Sequence, residues 1–579
     1  MDTLLMAQKL QNITINAPAF AGINSQDSPI NLDSSFAATA SNCVIDSYGR
    51  IGARKGYTEV STHASTATLL GSSRGIEAIH ESLDASGDKV IFSAGNNKIF
   101  SGDTQLTDIT PAGYTVNANN WKIVNFNNHT YFYQKGQEPL IYTDSGGTAG
   151  QGTLVTYSNF SGSTTPPFAN EVIGAYGRLW AADVSGDTKT VYWSDTLQGH
   201  KWSGGTAGSL DLTTVFPNGH DEVIALSAHN GFLIIFCKNC IIVYSGAESP
   251  ATMVLHDTVE GVGCIARDSV QHTGTDIIFL SEDGVRSFGR TIQEKSMPMR
   301  DLSKNVRTEL TQEVRSQTNP IKSLYSADEA FYLLSLPDSQ TIYCFDMRTS
   351  LQDGSNRVTT WSTVEPHSMT VLQDGSIYFG RENGIFKYGG YTDDGSEYLL
   401  LYYSNPLNFG NSTNLKFLKK FNITVIGSVE SNTTLVWGYD YTNDFNKKVF
   451  SSSKVNSAQA LFGISEYGDD TTTLVTPSNT ATYLGAFSSA PTTNETNALY
   501  YNTTDNKLYY WSGSAWVEET TIDSSYVAAT YTIGTDIQRP KINTNGSGTV
   551  VTIGIESTID GSPYSIQQID IHALLGRLI

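Results

Sequence analysis

The sequence predicts an all-β protein: a β-propeller of about seven blades followed by a C-terminal antiparallel β-sandwich. Three observations predict it. A pattern of two apolar strands around a tight turn returns seven times between about residue 75 and residue 390. The composition favours strands and turns, with 51 Gly, 30 Tyr and 24 Phe. Hardly any segment sustains a 3.6-residue apolar period.

The repeat is visible when each unit is anchored at its first strand. Ile76, Trp121, Val172, Val223, Ser269, Lys322 and Met369 are spaced by 45, 51, 51, 46, 53 and 47 residues. A period of about 40 to 50 residues built from short strands is the mark of a propeller blade. Within units the turns carry Asn, Asp and Gly, as at Gly95-Asn96-Asn97, Asp283-Gly284, Asp374-Gly375 and Asn383-Gly384. Positive φ costs least at those residues. The strands they join are rich in Ile, Val, Phe and Tyr, so neither face of such a sheet can stay in water. Stacking the sheets radially buries both faces and leaves only short edges. An eighth blade follows if the N-terminal strands form a sheet of their own.

Residues 1–70 read as an N-terminal arm with first strands, in which Gly49, Gly52 and Gly56 punctuate short segments. A Ser/Thr/Gly-rich connector over 61–75 leads into the propeller, placed at 71–395. Asp301–Glu313 is the clearest helical candidate. From Glu397 the strands lengthen and alternate, as in KFLKKFNITVIG from Lys416 and TTLVWGYDYTNDF from Thr433, and similar strands return from Thr549. These predict a sandwich formed by 396–481 and 520–579. Between its halves, 482–519 reads as a small inserted β module with a hairpin turning at Asp505-Asn506.

The chain has 579 residues, enough for two or three domains. Its 36 basic and 57 acidic residues give a net charge of −21, which argues against a grip on nucleic acid by charge neutralisation. The acidity either keeps a large β protein soluble or serves a surface that must not bind phosphate. Cys43, Cys237, Cys240, Cys264 and Cys344 are too few and odd in number for a disulfide framework. The start, MDTLLMAQKLQN, lacks the basic and apolar regions of a signal peptide, and no apolar run of spanning length occurs. The expectation is synthesis in a reducing cytoplasm and no membrane-spanning segment.

Few motifs suggest chemistry. Cys237-Lys-Asn-Cys240 has the spacing of half a zinc site, but Lys238-Asn239 also fits a two-residue hairpin turn with the cysteines facing across it, and no second pair follows. Gly71-Ser72-Ser73-Arg74-Gly75 matches a serine-hydrolase elbow outside the strand-to-helix setting that motif needs. Ser281-Glu282-Asp283-Gly284 falls one residue short of the sialidase-type turn. The sequence therefore predicts neither an enzyme nor a cofactor or metal. Two clusters remain as candidate contacts. Arg50, Arg54 and Lys55 stand out in an acidic chain, either as a contact for an acidic partner or as solvated charges on a hairpin. Tyr509, Trp511 and Trp516 in the insert are either a sugar-stacking platform or the core of a small domain.

The opening Phe20–Tyr57 passes from a few apolar residues through Asn42 into a stretch punctuated by Gly49, Gly52, Arg54 and Gly56. It resembles the start of the tail nozzle proteins of short-tailed bacteriophages, also called tail tubular protein B. Val259–Phe288 is similar to a blade of such phage propellers, and the segment from Ile559 to Arg577 is similar to the last strands of their platform domain. The resemblance implies a structural virion protein in a homohexameric ring at the distal end of a short tail. It also implies an adaptor ring protein above, fibre or spike proteins at the sides, and viral DNA passing without sequence-specific binding. Assembly would take place in the host cytoplasm. The alternatives are a glycan- or receptor-binding propeller of a phage tail and a propeller glycosidase.

Overall fold

The computed structural model describes residues 10–578 apart from 18, 31, 62–74, 84–86, 88, 96–97, 117–119, 144–151, 295–300, 383, 412, 428–431, 442–444, 452–472, 477–478, 493–497, 506, 519–536 and 539–540. It is nearly all β and propeller-like, built from many small antiparallel sheets. Four meanders of four strands run in chain order from Ile76–Leu83 to Thr107–Asp108, Lys122–Phe126 to Thr153–Thr156, Ala169–Ala175 to Gly208–Asp211 and Val223–His229 to Val254–Glu260. A three-stranded sheet from Gln271–His272 to Gly284–Ser287 follows, then a meander from Lys322–Ser326 to Asn356–Trp361. The last meander spans Ser368–Val371 to Gly384–Tyr388. First strands of successive sheets lie side by side, and Ser368–Val371 returns to Ile76–Leu83.

The alternation of side chains explains the stacking. In the strand Phe232–Cys237, Leu233 and Ile235 pack with Trp180 and Val191 of the preceding sheet. Ile234 and Phe236 pack with Ile277 and Phe279 of the following one. Both faces are dry, so the strand reads as a continuous apolar run instead of an alternating one. Turns fall where Gly and Asp place them: Gly284 has φ of 130° and Gly375 of 81°.

The expected helix at Asp301–Glu313 is found slightly later, at Arg307–Ser316, with Leu310 and Val314 buried on one side. A second helix, Phe288–Glu294, was not expected; it continues from the strand Gly284–Ser287.

The long strands of the C-terminal third fall into two sheets. In one, Asn414–Gly427 pairs with Tyr564–Leu578 over most of its length, and Leu10–Asn16 pairs with the other side of Tyr564–Leu578. In the other, Tyr398–Ser404, Val551–Ile559, Asn432–Tyr439 and Asn446–Ser451 are neighbours. Phe421 and Ile423 of the first sheet share one apolar cluster with Leu435 and Ile553 of the second.

The described strands within residues 1–70 join other sheets and form none of their own, so among the described residues there is no eighth blade there. Strands this short cannot satisfy their own edges, so they add to others. Phe36–Ser41 bridges Asn356–Trp361 to Tyr398–Ser404. Cys43–Ile45 and Ile51–Ala53 extend the sheet of Tyr564–Leu578. Tyr57–Glu59 pairs antiparallel with Gly384–Tyr388 and completes the last meander with a fourth strand. The inserted module is also larger than 482–519: its five-stranded sheet begins at Thr473–Thr476 and ends at Trp516–Glu518.

Among the described residues no helix is long and apolar enough to cross a membrane.

Closure by Tyr57–Glu59 depends on a close backbone approach at Gly56, where an added Cβ would overlap the Thr392 carbonyl. Backbone cannot yield as a flexible side chain can. Gly56→Ala is expected to cost about 1–3 kcal/mol, the range for overpacking a filled site. Chemical denaturation of the two proteins measures it, and an unchanged midpoint would contradict this account of closure.

Candidate functional site

A cluster of charged side chains lies where first strands of several sheets converge. Arg267 and Asp268, in a 3-10 turn just before Gln271–His272, face Lys122, Glu171 and Lys322 from three other sheets. The Arg267 guanidinium donates to the carbonyls of Trp121 at 2.8 Å and Asn170 at 2.6 Å, and pairs with Asp268 at 2.8 Å. Asp268 also takes Lys322 at 2.7 Å, while Glu171 takes Lys122 at 3.0 Å. A cavity of about 160 Å³ opens over the cluster, lined also by Glu77, His80 and Gln271.

The environment drives the two carboxyl groups apart. Burial pushes Glu171 up, opposed by Lys122 and Arg267. Burial acts the same way on Asp268, but Arg267 and Lys322 outweigh it and hold this carboxyl well below the usual carboxylate range. Separated carboxyl pairs can divide acid and base roles. Here both are engaged by cations, and what the arrangement performs is the tying together of four sheets at their common centre. Beside this cavity His367 Nδ1 lies 3.5 Å from Glu77, which pushes the imidazole up through a hydrogen bond.

The basic trio at the N-terminus is not one surface. Arg54 is completely buried, which corrects both sequence readings of it as an exposed charge. It is drawn in by a full set of partners. Its guanidinium is bidentate to Asp393 at 2.8 and 2.7 Å, and it donates to Asn42 Oδ1 and Thr363 Oγ1 at 3.0 Å. It also lies 4.1 Å over the Tyr398 ring. Lys55 pairs with Glu329 and is partly exposed. Arg50 lies 4.0 Å from Asp46 and stacks on Tyr48 at 4.3 Å. Only Lys55 and Arg50 keep contact with solvent.

Tyr509, Trp511 and Trp516 come together on one face of the inserted sheet and are half-buried. Tyr509 stacks on buried Tyr500 at 5.4 Å, while Trp516 meets Tyr500 edge-on at 4.7 Å and Trp511 at 5.3 Å. Such rings bury one edge in a small core and leave another for contact.

Sequence reading missed Arg267 and Asp268. The available signal was an Arg-Asp pair ahead of an inner strand, a place where charge needs a partner from elsewhere in the fold. Cys237 and Cys240 do flank a two-residue turn, as their spacing predicts, and all five cysteines are free and buried. The structure adds Asp221 beside them, the one set among the described residues that could hold a metal ion.

No protein-family model and no curated protein matches the chain. Among solved structures it is similar to the extracellular domain of a one-component system of B. thetaiotaomicron, with a TM-score of 0.38 and 11% identity. That match covers 79% of this chain and 51% of the other, so the chain spans about half of that protein's length. A protein from Lactobacillus plantarum matches with a TM-score of 0.30 and 10% identity over 57% of this chain and 91% of its own. Likeness at this level assigns neither protein's role to this chain.

Two outcomes follow from the buried charges. Arg54→Ala strands Asp393 in the interior and is expected to cost about 3–5 kcal/mol, as when one partner of a buried pair is removed; a loss below about 1 kcal/mol would place the pair in effective contact with water. Asp268→Asn is expected to destabilise at neutral pH. Because the Asp268 carboxyl is held below its unfolded value, its contribution is present above about pH 4 and fades as the pH falls further. The gap between wild type and D268N, measured by denaturation across pH, should therefore narrow in acid; a gap independent of pH would contradict the assignment.

Proposed function

We propose that this chain is a structural protein of a phage virion, the protomer of a nozzle ring at the distal end of a short tail. In this reading the seven sheets are the blades of a propeller and the two C-terminal sheets are a platform domain. Six copies form the ring, joined to an adaptor ring above, with fibres or spikes docked at its sides. The observation that carries the reading is the welding of both parts by the N-terminal strands. Phe36–Ser41 joins the meander ending at Asn356–Trp361 to a C-terminal sheet, Cys43–Ile45 and Ile51–Ala53 extend the other C-terminal sheet, and Tyr57–Glu59 joins the last meander, with Arg54–Asp393 buried between them. A protomer tied in this way suits a ring that must withstand force along its axis. The resemblance of Phe20–Tyr57, Val259–Phe288 and the last strands to nozzle proteins supports the same conclusion.

The centre of the sheets is spanned by Arg267 and its partners, so DNA would pass between copies and not through any one of them. The net charge of −21 fits such a path, because a wall rich in Lys and Arg would hold the phosphates it must release. Imaging of tails with this protein in place tests the proposal. A closed ring on the tail axis with a mainly acidic lumen is expected. Density away from the axis, or a basic lumen, would overturn it.

A second reading is favoured by the half-buried aromatic face of the inserted module: contact with host glycans. Under it, Trp511→Ala combined with Trp516→Ala leaves particle assembly intact and lowers host adsorption by tenfold or more, since stacking contacts of this kind are worth about 1 kcal/mol each beyond area burial. Unchanged adsorption would leave those rings a structural role only.

A further inference from the structure

Cys237 ends one strand and Cys240 begins the next, so the Lys238-Asn239 turn sets the two side chains beside each other. Asp221 approaches from the loop before Val223–His229. The two sulfurs and a carboxylate oxygen all lie within 4.8 Å of one another, and all three residues are buried. No other His, Cys, Asp or Glu set among the described residues is gathered in this way.

The carboxylate is fixed from the turn itself. Asn239 donates its backbone N–H to Asp221 Oδ2 at 3.0 Å and its side-chain amide to Oδ1 at 3.1 Å, and Oδ1 also accepts the Glu222 N–H at 2.8 Å. The turn is held from its other side as well. The chain at Gly263 packs so closely that a Cβ there would overlap the carbonyls of Cys237 and Lys238, and Cys264 N–H donates to the Cys237 carbonyl at 2.8 Å. The three groups are thus placed by backbone contacts that do not depend on an ion.

We propose that Asp221, Cys237 and Cys240 form a binding site for a thiophilic divalent cation of the zinc type. Zinc bonds of about 2.3 Å to sulfur and about 2.1 Å to oxygen put these tetrahedral ligand atoms roughly 3.6–3.8 Å apart, within the observed spread. Sulfur donors select zinc, cadmium or cobalt over magnesium and calcium. On binding, each thiol gives up its proton to solvent and the cation takes two sulfur bonds and one oxygen bond, with no change of oxidation state. Three protein ligands leave a fourth position for a water. The ion would clamp the end of one hairpin to the loop entering the same sheet. Two cysteines at this spacing are too little to signal the site, since Asp221 lies well upstream.

Cobalt titration of the purified, metal-stripped full chain under reducing conditions tests this. One cobalt ion per chain is expected, with sulfur-to-cobalt charge-transfer absorption and visible bands of a tetrahedral centre that one equivalent of zinc abolishes. Cys237→Ser and Cys240→Ser should each remove the charge-transfer band, and Asp221→Asn should weaken binding by tenfold or more. Cys43→Ser, in a separate core, serves as the folded control and should bind as wild type. Absence of stoichiometric cobalt in the wild-type chain would overturn the site whatever the variants do, and so would a band that persists in both serine variants.

Discussion

One buried ion pair, Arg54 with Asp393, sits where the N-terminal strands join the propeller-like sheets to the C-terminal sheets. Burying two charges costs several kcal/mol each, and attraction offsets this only when every remaining hydrogen-bonding position is filled. Here Asn42, Thr363 and the Lys55 carbonyl fill them, and the Tyr398 ring covers the guanidinium face. Those partners come from the N-terminal strands, the loops beside the last meander and the first strand of the C-terminal sheets. The pair therefore has partners from all three parts. Tyr57–Glu59 then lies next to Gly384–Tyr388, joining an early strand to one more than 300 residues later.

The centre of the ring repeats the same device. A propeller whose first strands converge brings backbone carbonyls of several sheets to one place, where water is scarce and polar groups need partners. Arg267 supplies five donors from one side chain, and Asp268 returns the charge to Lys322. Charge inside this protein therefore does work that apolar side chains do between the sheets, where Trp180, Phe236 and Phe279 close the gaps.

Much of this architecture was legible in the chain. The seven spaced hairpins, the Asp-Gly turns and the longer alternating strands after Glu397 are local patterns, and each appears where its residues put it. What was illegible depended on partners far away. Tyr57–Glu59 has three residues and no period, so nothing marks it as the edge of a sheet formed at the other end of the ring. Arg54, among glycines and beside Lys55, looks like a solvated turn until Asp393 is placed. Thr473–Thr476 lies apart from the aromatic run that marks the insert, so the local pattern does not show that it belongs to the same sheet. Of the candidate contacts, the aromatic trio shares one face because its residues are close in sequence and paired across a hairpin, whereas Arg50, Arg54 and Lys55 find different partners in three separate environments.

The position of the Arg267 cluster constrains the conduit that the proposed function requires. Side chains that meet at the centre of one chain leave a cavity of about 160 Å³, too small for a duplex. A DNA path must then be walled by the outer surfaces of several copies. The residues that matter for passage would be exposed acids on one flank, not the buried carboxylates Glu171 and Asp268. Substitutions at the centre would therefore act on stability and leave passage to follow it. Changes of charge on the flank would alter the salt dependence of DNA release and leave folding alone. That separation gives the nozzle reading content beyond resemblance, because a catalytic propeller would place its sensitive residues at the mouth of the central cavity and the glycan reading places them on the inserted module.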